Sequence, residues 1–358
     1  MFLKKVNTVF SINSRNVVIC VSMLMLSVLL SSCMGPMTVD PITEASMEIE
    51  SADSVMGDWE GTWKLDDESD SGPVVTQVIA LGQGKYRAKV MTAFDTREEP
   101  IAELDGQRNG ALVSFEGPGQ VGYNVFQIKA VISNGRFKGS FNGDASGSFE
   151  MEKVIRVSPT MGEKPPAGAV VLFNGRNFKQ WKHTNQSDGD SIQWMLLKNG
   201  AMQVRKGKGS IVTKKKFNDF KLHVEFRTPF MPDARGQGRG NSGVYLQERY
   251  EVQVLDSYGL EGKDNECGAI YKIGEPLVNM CAPPTQWQTY DITFYAPSAD
   301  RENAQVTVVH NGVTIHDELK LPRPTGGALD SDVNKPGGIY LQDHGNPVQY
   351  RNIWLVEL

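Results

Sequence analysis

Short runs of alternating hydrophobic and polar residues, separated by turn residues, fill the sequence from about residue 56 to its end. Residues 125–132 and 136–141 are two such runs, and Asn134-Gly135 lies between them. An Asn-Gly pair between alternating runs is the strongest short-range indication of a β-hairpin. Further Asn-Gly pairs stand at 109–110, 142–143, 199–200 and 311–312. Because no segment shows a clear helical period, the pattern predicts an all-β protein.

A segment rich in proline and glycine, residues 158–166, divides the strands into two groups. Proline and glycine interrupt both strands and helices, so we place a linker there. Residues 56–157 are then predicted to form a small antiparallel β barrel or sandwich, for which a structural or ligand-holding role is expected. Residues 167–358 are predicted to form a larger two-sheet jelly roll, since many evenly spaced strands with polar turns are typical of that architecture.

The N-terminal residues 1–32 have the features of a lipoprotein signal peptide. Lys4, Lys5 and Arg15 precede an apolar run, and the segment ends at Leu30-Ser31-Ser32-Cys33. The apolar run is too short to cross a bilayer comfortably. We expect cleavage before Cys33 and lipidation of this cysteine; the alternative is an ordinary signal peptide with a chance cysteine. Residues 33–55 show little periodicity and are predicted to be a flexible tether.

These features predict a protein of the cell envelope that touches the membrane only through its lipid. The residue after the cysteine is Met34 and not an aspartate. By resemblance to the sorting rule of enterobacterial lipoproteins, this favours the outer membrane. Removal of residues 1–32 would change the net charge from −5 to −8, which argues against a nucleic-acid-binding protein. Cys267 and Cys281 would be the two remaining thiols, and in an oxidising compartment we expect them to form a disulfide.

The segment Ile339–His344 alternates in a way that gives a strand two different faces. Ile339 and Leu341 would point to a core, whereas Tyr340, Gln342 and His344 would share the opposite face. The earlier segment Gly243-Val244-Tyr245-Leu246-Gln247 has nearly the same order of residues. We therefore expect both strands to lie in one sheet and to present polar groups on its open face. The alternative is that both are ordinary half-exposed strands.

Two further strands contribute acidic groups to the predicted face. In residues 221–227, His223, Glu225 and Arg227 share one face, and in residues 250–254 the same holds for Glu251 and Gln253. Asp256 is off the parity of Glu251 and would need a bulge or turn to join it. The predicted site residues from these and the flanking segments are Glu225, Tyr245, Gln247, Glu251, Gln253, Asp256, Lys272, Tyr340, Gln342, His344 and Arg351.

A series of short motifs in the second unit resembles one bacterial family. They include Leu172-Phe173-Asn174-Gly175, Gly240–Tyr245, Tyr250–Asp256, Gly268–Tyr271, Trp287–Ile292 and Leu341–Gly345. Together they resemble the 3-keto-disaccharide hydrolase domain, whose members are linked to 3-keto-glycoside lyase and hydratase activity. The resemblance covers nearly all of the second unit and none of the first. It implies a concanavalin-like jelly roll and an oxidised oligosaccharide or glycoside as substrate.

The resemblance also implies a particular chemistry. A ketone at C3 acidifies the C2 proton, so a base can remove it, the group at C1 can leave, and water can add back. His344 is the first candidate for the base because its ordinary pKa is near neutrality, and Glu251 is the second. Asp256 or Glu225 would orient the imidazole or hold a divalent cation, which stabilises an enolate well. The sequence shows no diagnostic spacing of metal ligands.

The remaining residues would hold the substrate. Gln253, Gln247 and Gln342 are expected to bind sugar hydroxyls, Tyr245 and Tyr340 to form platforms, and Arg351 and Lys272 to supply positive charge. Since no haem or nicotinamide motif is present, a separate oxidoreductase would have to oxidise C3. Two other functions stay open: a non-catalytic carbohydrate-binding module, and a conventional glycoside hydrolase with two carboxylates.

Overall fold

The computed structural model describes residues 53–184 and 192–358, and this part of the chain is built almost entirely of β-strands. The predicted signal peptide, the lipidation site at Cys33 and most of the predicted tether lie outside the described residues. Residues 53–55 of that tether are described, and they belong to the folded protein: Asp53 Oδ1 accepts hydrogen bonds from the backbone of Val55 and Met56, and Val55 is buried. Among the described helices, none is long and apolar enough to cross a membrane.

The first unit is a closed antiparallel barrel of eight strands, in which each strand pairs with its neighbours in sequence and β1 pairs with β8. The strands are β1 Gly57–Leu65, β2 Ser71–Gly82, β3 Lys85–Met91, β4 Ala102–Asn109, β5 Leu112–Val121, β6 Asn124–Ser133, β7 Arg136–Gly143 and β8 Gly147–Val154. Of the two architectures that the sequence left open for this unit, the structure has the barrel.

Alternation along the strands fills the barrel interior with apolar side chains. In β6, for example, Phe126, Ile128, Ala130 and Ile132 are buried while the residues between them are exposed or half-buried. Trp59 packs at the start of the barrel, 1% exposed, with its ring edge against Phe137 at 5.8 Å and its Nε1 donating to Val55 O at 3.0 Å. The barrel therefore has a packed interior at this end.

The second unit is a sandwich of two antiparallel sheets. A five-stranded sheet has the order β10-β13-β20-β15-β16, and an eight-stranded sheet contains β11, β12, β21, β14, β17, β18, β19 and, beside β21, β9. The strands are β9 Val170–Phe173, β10 Trp181–His183, β11 Met195–Leu196, β12 Met202–Gln203, β13 Ile211–Thr213, β14 Phe220–Arg227, β15 Ser242–Leu246, β16 Tyr250–Val254, β17 Gln288–Tyr295, β18 Ala304–His310, β19 Val313–Leu321, β20 Tyr340–Leu341 and β21 Gln349–Glu357. A short 3₁₀ helix spans Gly236–Gly238.

The core of the sandwich lies between the two sheets. Val244 and Leu246 of β15 and Val252 of β16 pack in one apolar cluster with Leu222 and Val224 of β14, and all five are at most 2% exposed. The residues between them on each strand must point away from this core, to the two outer faces of the sandwich. This all-β architecture, with a sandwich that follows the smaller unit, is the fold class that the sequence predicts.

The segment that joins barrel and sandwich runs over the outer face of the eight-stranded sheet and is fixed to it. Gly162 donates its backbone N–H to Glu225 Oε1 at 2.7 Å, and Thr160 Oγ1 donates to Asp291 Oδ2 at 2.6 Å. Asn352 Nδ2 donates to the carbonyl of Glu163 at 2.9 Å. The predicted linker is thus part of the folded sandwich, because side chains of three of its strands bind it.

Barrel and sandwich also contact each other directly through buried polar groups. Tyr258 of the sandwich donates its hydroxyl to Asp58 Oδ1 of the barrel at 2.6 Å, and Arg156 binds the other oxygen of Asp58 at 3.0 Å. Arg239 of the sandwich donates to the carbonyl of Ala80 in the barrel at 3.2 Å. These contacts hold the loop that contains Arg239 against the barrel.

Candidate active site

A polar pocket of about 250 Å³ opens on the face of the five-stranded sheet that points away from the core. Its lining residues come from β15, β16 and the loops beside them, and they are Gln237, Asn241, Tyr245, Glu251, Gln253, Tyr271, Gly326, Gly327, Gln342 and His344. We call this the front pocket. Five of these residues, namely Tyr245, Glu251, Gln253, Gln342 and His344, belong to the predicted site.

Strand register explains why the acidic and aromatic groups meet. In the antiparallel pair β15–β16, Tyr245 lies opposite Glu251, and Gly243 lies opposite Gln253. All four therefore share the front face. A Cβ atom built on Gly243 would overlap Glu251 Oε1, so the glycine leaves the space that this carboxylate occupies. The absence of a side chain at Gly243 is what places Glu251 over the sheet.

The two segments with a similar order of residues are neighbouring strands. β15 and β20 pair antiparallel, with Tyr245 opposite Tyr340, and the two rings stack with centroids 4.4 Å apart. Tyr340 is 5% exposed and does not line the pocket, so it supports Tyr245 from the side instead of forming a platform for substrate. The prediction that Tyr340 binds substrate directly is wrong for this reason.

Glu251 is the acidic group of the pocket, and it is held in an unusual electrostatic environment. Glu251 is 3% exposed, and it forms no ion pair with any described residue. Burial raises the pKa of Glu251 to about 8, although a hydrogen bond with the Tyr245 hydroxyl opposes that shift. A carboxyl group with this proton affinity can both accept and return a proton near neutral pH.

The Tyr245 hydroxyl stays protonated and lies at the centre of a small network. Burial, together with the charge of Glu251, raises the pKa of Tyr245 well above its ordinary value. The hydroxyl donates to Gly326 O at 2.9 Å and accepts from Gln342 Nε2 at 3.2 Å. Gln342 Oε1 is buried and has no hydrogen-bond partner within residues 53–184 and 192–358. This oxygen is an acceptor that a bound hydroxyl group could satisfy.

A chain of amides forms another wall of the pocket. Gln253 Nε2 donates to Asn241 Oδ1 at 2.9 Å, and Asn241 Nδ2 donates to Gln237 O at 2.8 Å. Gln237 Nε2 in turn donates to Asn265 O at 2.6 Å. Sequence reasoning missed Gln237, Asn241 and Tyr271, although Asn241 and Tyr271 lie inside the motifs on which the family resemblance depends. His344 lies at the exposed rim of the same pocket.

Glu225 and Arg351 do not share the front pocket, and the prediction that they do is wrong. They lie on the outer face of the other sheet, where Arg351 Nε donates to Glu225 Oε2 at 2.6 Å and the linker covers them. Burial opposes ionisation, but hydrogen bonds and charges from His223 and Arg351 lower the pKa of Glu225 to about 2. Its role is to fix the linker.

Three further predicted residues also have structural partners elsewhere. Asp256 is buried and binds Arg239 Nε at 2.6 Å. Gln247 follows the end of β15 with a φ of 51°, and its Nε2 donates to Phe217 O at 2.9 Å. Lys272 binds Asp264 at 2.7 Å on the surface. None of the three lines the front pocket, so the predictions that placed them there are wrong.

The two cysteines of the predicted disulfide are neighbours in the structure, where they are free thiols. Cys267 and Cys281 are both free and buried. Cys267 Sγ lies 3.3 Å from the Tyr290 hydroxyl, and Cys281 Sγ donates to Leu255 O at 3.4 Å. The two thiols also contact each other, so their pairing in an oxidising compartment stays a prediction.

In the described part of the chain, one group of side chains has the proximity that a metal ion requires: Glu163, His223 and Asp291. It lies under the linker, away from the front pocket. His223 Nδ1 is 2.6 Å from Asp291 Oδ1. Burial disfavours the charged imidazole, but hydrogen bonds to Asp291 and Glu225 raise the pKa of His223 to about 9. His223 pairs with Glu225 and Asp291 in this arrangement, and the side chains of Glu163, His223 and Asp291 are also a donor set that a divalent cation can take.

Fold and pocket together define a β-sandwich protein with a small polar pocket on the outer face of its five-stranded sheet. Residues 168–356 match the family of the 3-keto-alpha-glucoside-1,2-lyase-like domain, and the chain belongs to this family. The match confirms the family resemblance of the sequence motifs. Membership in this family supports a carbohydrate-active enzyme that acts on glycosides.

Solved structures with similarity to this chain include two candidate glycosyl hydrolases of Parabacteroides distasonis. One is 38% identical over 54% of this chain and 85% of its own, with a TM-score of 0.48. The other is 21% identical over 53% of this chain and 94% of its own, with a TM-score of 0.42. Fatty-acid-binding protein 1 of Echinococcus granulosus is 14% identical over 28% of this chain and 98% of its own, with a TM-score of 0.20. No curated protein matches the sequence.

Proposed function

We propose that this protein cleaves 3-keto-glycosides by removing the C2 proton, eliminating the group at C1 and then adding water. The observation that supports this proposal most is the buried Glu251 carboxyl, whose pKa is raised to about 8 in a pocket rimmed by His344. A β-elimination needs one base of matched proton affinity, whereas a conventional glycosidase needs two carboxylates on either side of the bond. Among the residues that the structure describes, Glu251 is the one acidic residue that lines the front pocket.

Glu251 is assigned as the base that takes the C2 proton. In its ionised form the buried carboxylate is poorly solvated, and protonation by the substrate relieves this unfavourable charge. The electrons of the C2–H bond form an enediolate with the C3 ketone. One N–H of the Gln342 amide binds the Tyr245 hydroxyl, and the second N–H is the nearby donor for the negative oxygen. The Tyr245 hydroxyl donates its one proton to Gly326 O and holds the Gln342 amide in place. The sequence ranked His344 first and Glu251 second as candidates for the base, whereas the proposed mechanism assigns the base to Glu251.

His344 is assigned as the acid for the leaving group. Its position at the exposed rim suits the departing part of the substrate, which extends toward solvent. As the C1–O bond breaks, the imidazolium gives its proton to the leaving oxygen, and a double bond forms between C1 and C2. Water then adds across this double bond: its oxygen bonds to C1 as His344 takes one of its protons, and Glu251 returns the proton it had taken to C2. The net reaction is hydrolysis, without change of oxidation state.

The lipid anchor and the upstream partner remain part of the proposal. A lipid on Cys33 would hold the enzyme at the cell envelope, and its acidic charge argues against nucleic acid as a partner. The C3 ketone would come from a separate sugar oxidoreductase. A divalent cation is a further candidate for enediolate stabilisation, and no step above depends on one.

The test compares a 3-keto-disaccharide with its unoxidised parent, each with and without a chelator. Release of sugar from the keto form alone, with deuterium incorporated at C2 in D₂O, is the expected result. Release from both sugars would indicate a conventional hydrolase, and binding without release would indicate a carbohydrate-binding module. A loss of activity with chelator would assign a cation to the reaction.

Two substitutions test the assigned roles. Glu251→Gln and His344→Ala should each lower turnover about 10²–10⁴-fold, the usual contribution of a general acid or base. Glu302→Gln, the same change at an exposed turn residue, is the matched control and should leave turnover unaltered. If both site variants keep more than about a tenth of the activity, the assignment of these two residues is wrong.

A further inference from the structure

A second polar pocket, of about 360 Å³, lies at the end of the eight-stranded sheet. It is lined by Gln203, Arg227, Thr228, Pro229, Phe230, Thr285, Pro347 and Gln349. We call it the side pocket. It shares no residue with the front pocket, and none of its residues has a role in the reaction proposed above. Its volume is in the range of small-molecule sites in proteins.

Strand register builds one wall of the side pocket. Gln349 of β21 lies opposite Gln203 of β12 on one side and opposite Arg227 of β14 on the other. Arg227 Nε donates to Gln349 Oε1 at 2.8 Å, and Gln349 Nε2 donates to Gln203 Oε1 at 2.8 Å. The row ends at Gln203 Nε2, whose contact is the thioether sulfur of Met195 at 3.7 Å. Sulfur is a weak acceptor, so this amide donor can turn to a ligand.

Two threonine hydroxyls of the side pocket are buried and lack a hydrogen-bond partner among the described residues. Thr228 is 1% exposed, and neither its Oγ1 nor that of Thr285 has a hydrogen-bond partner in the described part of the chain. The backbone N–H of Thr285 donates to Thr228 O at 2.8 Å, which fixes the two residues side by side. A buried hydroxyl without a partner is unfavourable, and in native proteins such groups call for an explanation.

Thr285 is also strained. Its φ is 70°, in the left-handed region where a β-branched residue is a genuine outlier. Glycine or asparagine would adopt this conformation at less expense. A strained backbone of this kind is maintained where the surrounding structure uses it, most often at a ligand site. Strain and a buried hydroxyl without a described partner thus coincide in one residue of the pocket lining.

We propose that the side pocket binds a neutral sugar unit as a second site, separate from the front pocket. The Gln203 amide N–H is available to a ligand, and rotation about χ1 would turn the buried Thr228 and Thr285 hydroxyls to the cavity. Together these groups offer donors and acceptors that suit a ring with several hydroxyl groups. The half-buried ring of Phe230 and the rings of Pro229 and Pro347 supply apolar surface for the C–H face of a pyranose. This combination of apolar lining and a few placed polar groups defines the chemistry of the ligand.

One connection links the two pockets. Residues 342–349 lead from the five-stranded sheet to the eight-stranded sheet. Gln342 and His344 line the front pocket, and Pro347 and Gln349 line the side pocket. A glycan with several units could therefore be held by the side pocket while one end reaches the front pocket. The binding of the sugar itself does not depend on the proposed lyase reaction.

The experiment measures binding of unoxidised sugars, so that it is independent of turnover. Glucose, maltose and cellobiose are titrated into the wild-type chain and into Gln342→Ala, which impairs the front pocket. We expect saturable binding of at least one of these sugars to survive in Gln342→Ala. The loss of all binding in that variant, or the absence of binding to the wild-type chain, would overturn the proposal.

Thr228→Val and Gln203→Ala then locate the remaining site. Each removes one hydrogen bond to the sugar, and each should weaken binding about threefold to tenfold. Thr228→Val replaces an unpaired buried hydroxyl by a group of the same shape, so its melting temperature should not fall. Gln203→Ala is a second variant, at a half-buried position, in case Thr228→Val disturbs folding. Unchanged affinity in both would contradict a sugar site here.

Thr285→Gly gives a readout that a merely structural role would not produce. Glycine relieves the strain at φ 70° and removes the unpaired hydroxyl, so the variant should melt at a higher temperature while binding the sugar more weakly. Turnover of a 3-keto-disaccharide should stay within about twofold in all three variants, because none of these residues touches the front pocket. Stronger sugar binding by Thr285→Gly would count against the assignment.

Discussion

Glu251 and Tyr245 face each other across two antiparallel strands, and their side chains meet on the outer side of the sheet. The tyrosine hydroxyl is the polar partner of a carboxyl group that otherwise lies in a buried, uncharged environment. The pair therefore combines a neutral donor with a group that exchanges its proton near neutral pH. This relationship determines how the protein should respond to pH and to substitution.

Activity should rise with pH as Glu251 loses its proton. A base must be ionised to act, and burial raises the pKa of Glu251 to about 8. For an aryl 3-keto-glucoside, whose phenolate leaves without the His344 proton, kcat/KM should increase about tenfold per pH unit below that value and level off above it. Glu251→Gln should abolish the rising limb along with most of the activity. A profile that is flat between pH 6 and 8 in the wild-type chain would exclude Glu251 as the base.

The same residue should make the fold less stable at higher pH. The folded state keeps the Glu251 proton up to about pH 8, whereas the unfolded state releases it near 4.5. Between these values the folded state binds more protons, so the free energy of unfolding falls as pH rises. Comparison of melting temperatures at pH 5 and pH 8 should show a smaller decrease in Glu251→Gln than in the wild-type chain. An equal decrease in both would mean that Glu251 is not the source of the effect.

Alternation along the strands was sufficient to predict which residues share the front face. Tyr245, Glu251, Gln253 and Gln342 all have the predicted direction, because each lies within a strand or directly beside one whose other side faces an apolar core. Period-2 alternation fixes the side of a strand on which a residue lies. It does not fix the sheet to which that strand belongs.

This limitation explains the misplaced residues. Glu225 has the predicted parity on β14, but β14 joins the eight-stranded sheet, so its polar face lies under the linker. Gln247 has the parity of Tyr245, but the strand ends at Leu246 and the positive φ of Gln247 turns its amide inward. Sheet membership and strand ends depend on long-range packing, which a single sequence does not reveal.

Tyr340 should affect activity only through its ring. The stack with Tyr245 at 4.4 Å holds that side chain in place, whereas the Tyr340 hydroxyl makes one long contact with Ser210 Oγ at 3.5 Å. An aromatic pair of this kind contributes about 0.5–1.5 kcal/mol. Tyr340→Leu should therefore lower kcat/KM about threefold to tenfold. Tyr340→Phe, the matched control, should stay within about twofold; an equal loss in both would assign a role to the hydroxyl instead.

Glu225→Gln should destabilise the fold without changing the chemistry. It removes the charge that compensates Arg351 and His223 under the linker, and breaking a buried ion pair costs about 3–5 kcal/mol. Glu150→Gln, at an exposed pair with Lys138, is the matched control and should cost less than about 1 kcal/mol. Chemical denaturation gives both values. Turnover per folded molecule should be unaltered, and its loss would return Glu225 to the candidate active site.

The ion pairs under the linker should also give the fold a defined pH range of greatest stability. The lowered pKa of Glu225, about 2, means that its contribution is present above pH 4.5 and is lost as the pH falls toward 2. The raised pKa of His223, about 9, means that its contribution is present below pH 6.5 and is lost as the pH rises toward 9. Both contributions are complete only between these limits. Glu225→Gln should remove the acid limb of the stability profile, which thermal melts from pH 3 to 9 would measure.

Gly243→Ala should inactivate the enzyme with little change in its fold. The backbone of Gly243 does not have a positive φ, so alanine can adopt it, but its Cβ would overlap Glu251 Oε1 and crowd the Tyr245 ring. The carboxylate must then move away from its position over the sheet, and a small displacement of a catalytic group has a large effect on rate. We expect kcat to fall at least about tenfold, with a melting temperature within a few degrees of the wild-type value. Gly238→Ala, in open space beside the same pocket, is the matched control and should retain full activity. If Gly243→Ala is as active as this control, the position of the Glu251 carboxylate is not what the reaction depends on, and the base must be sought at His344.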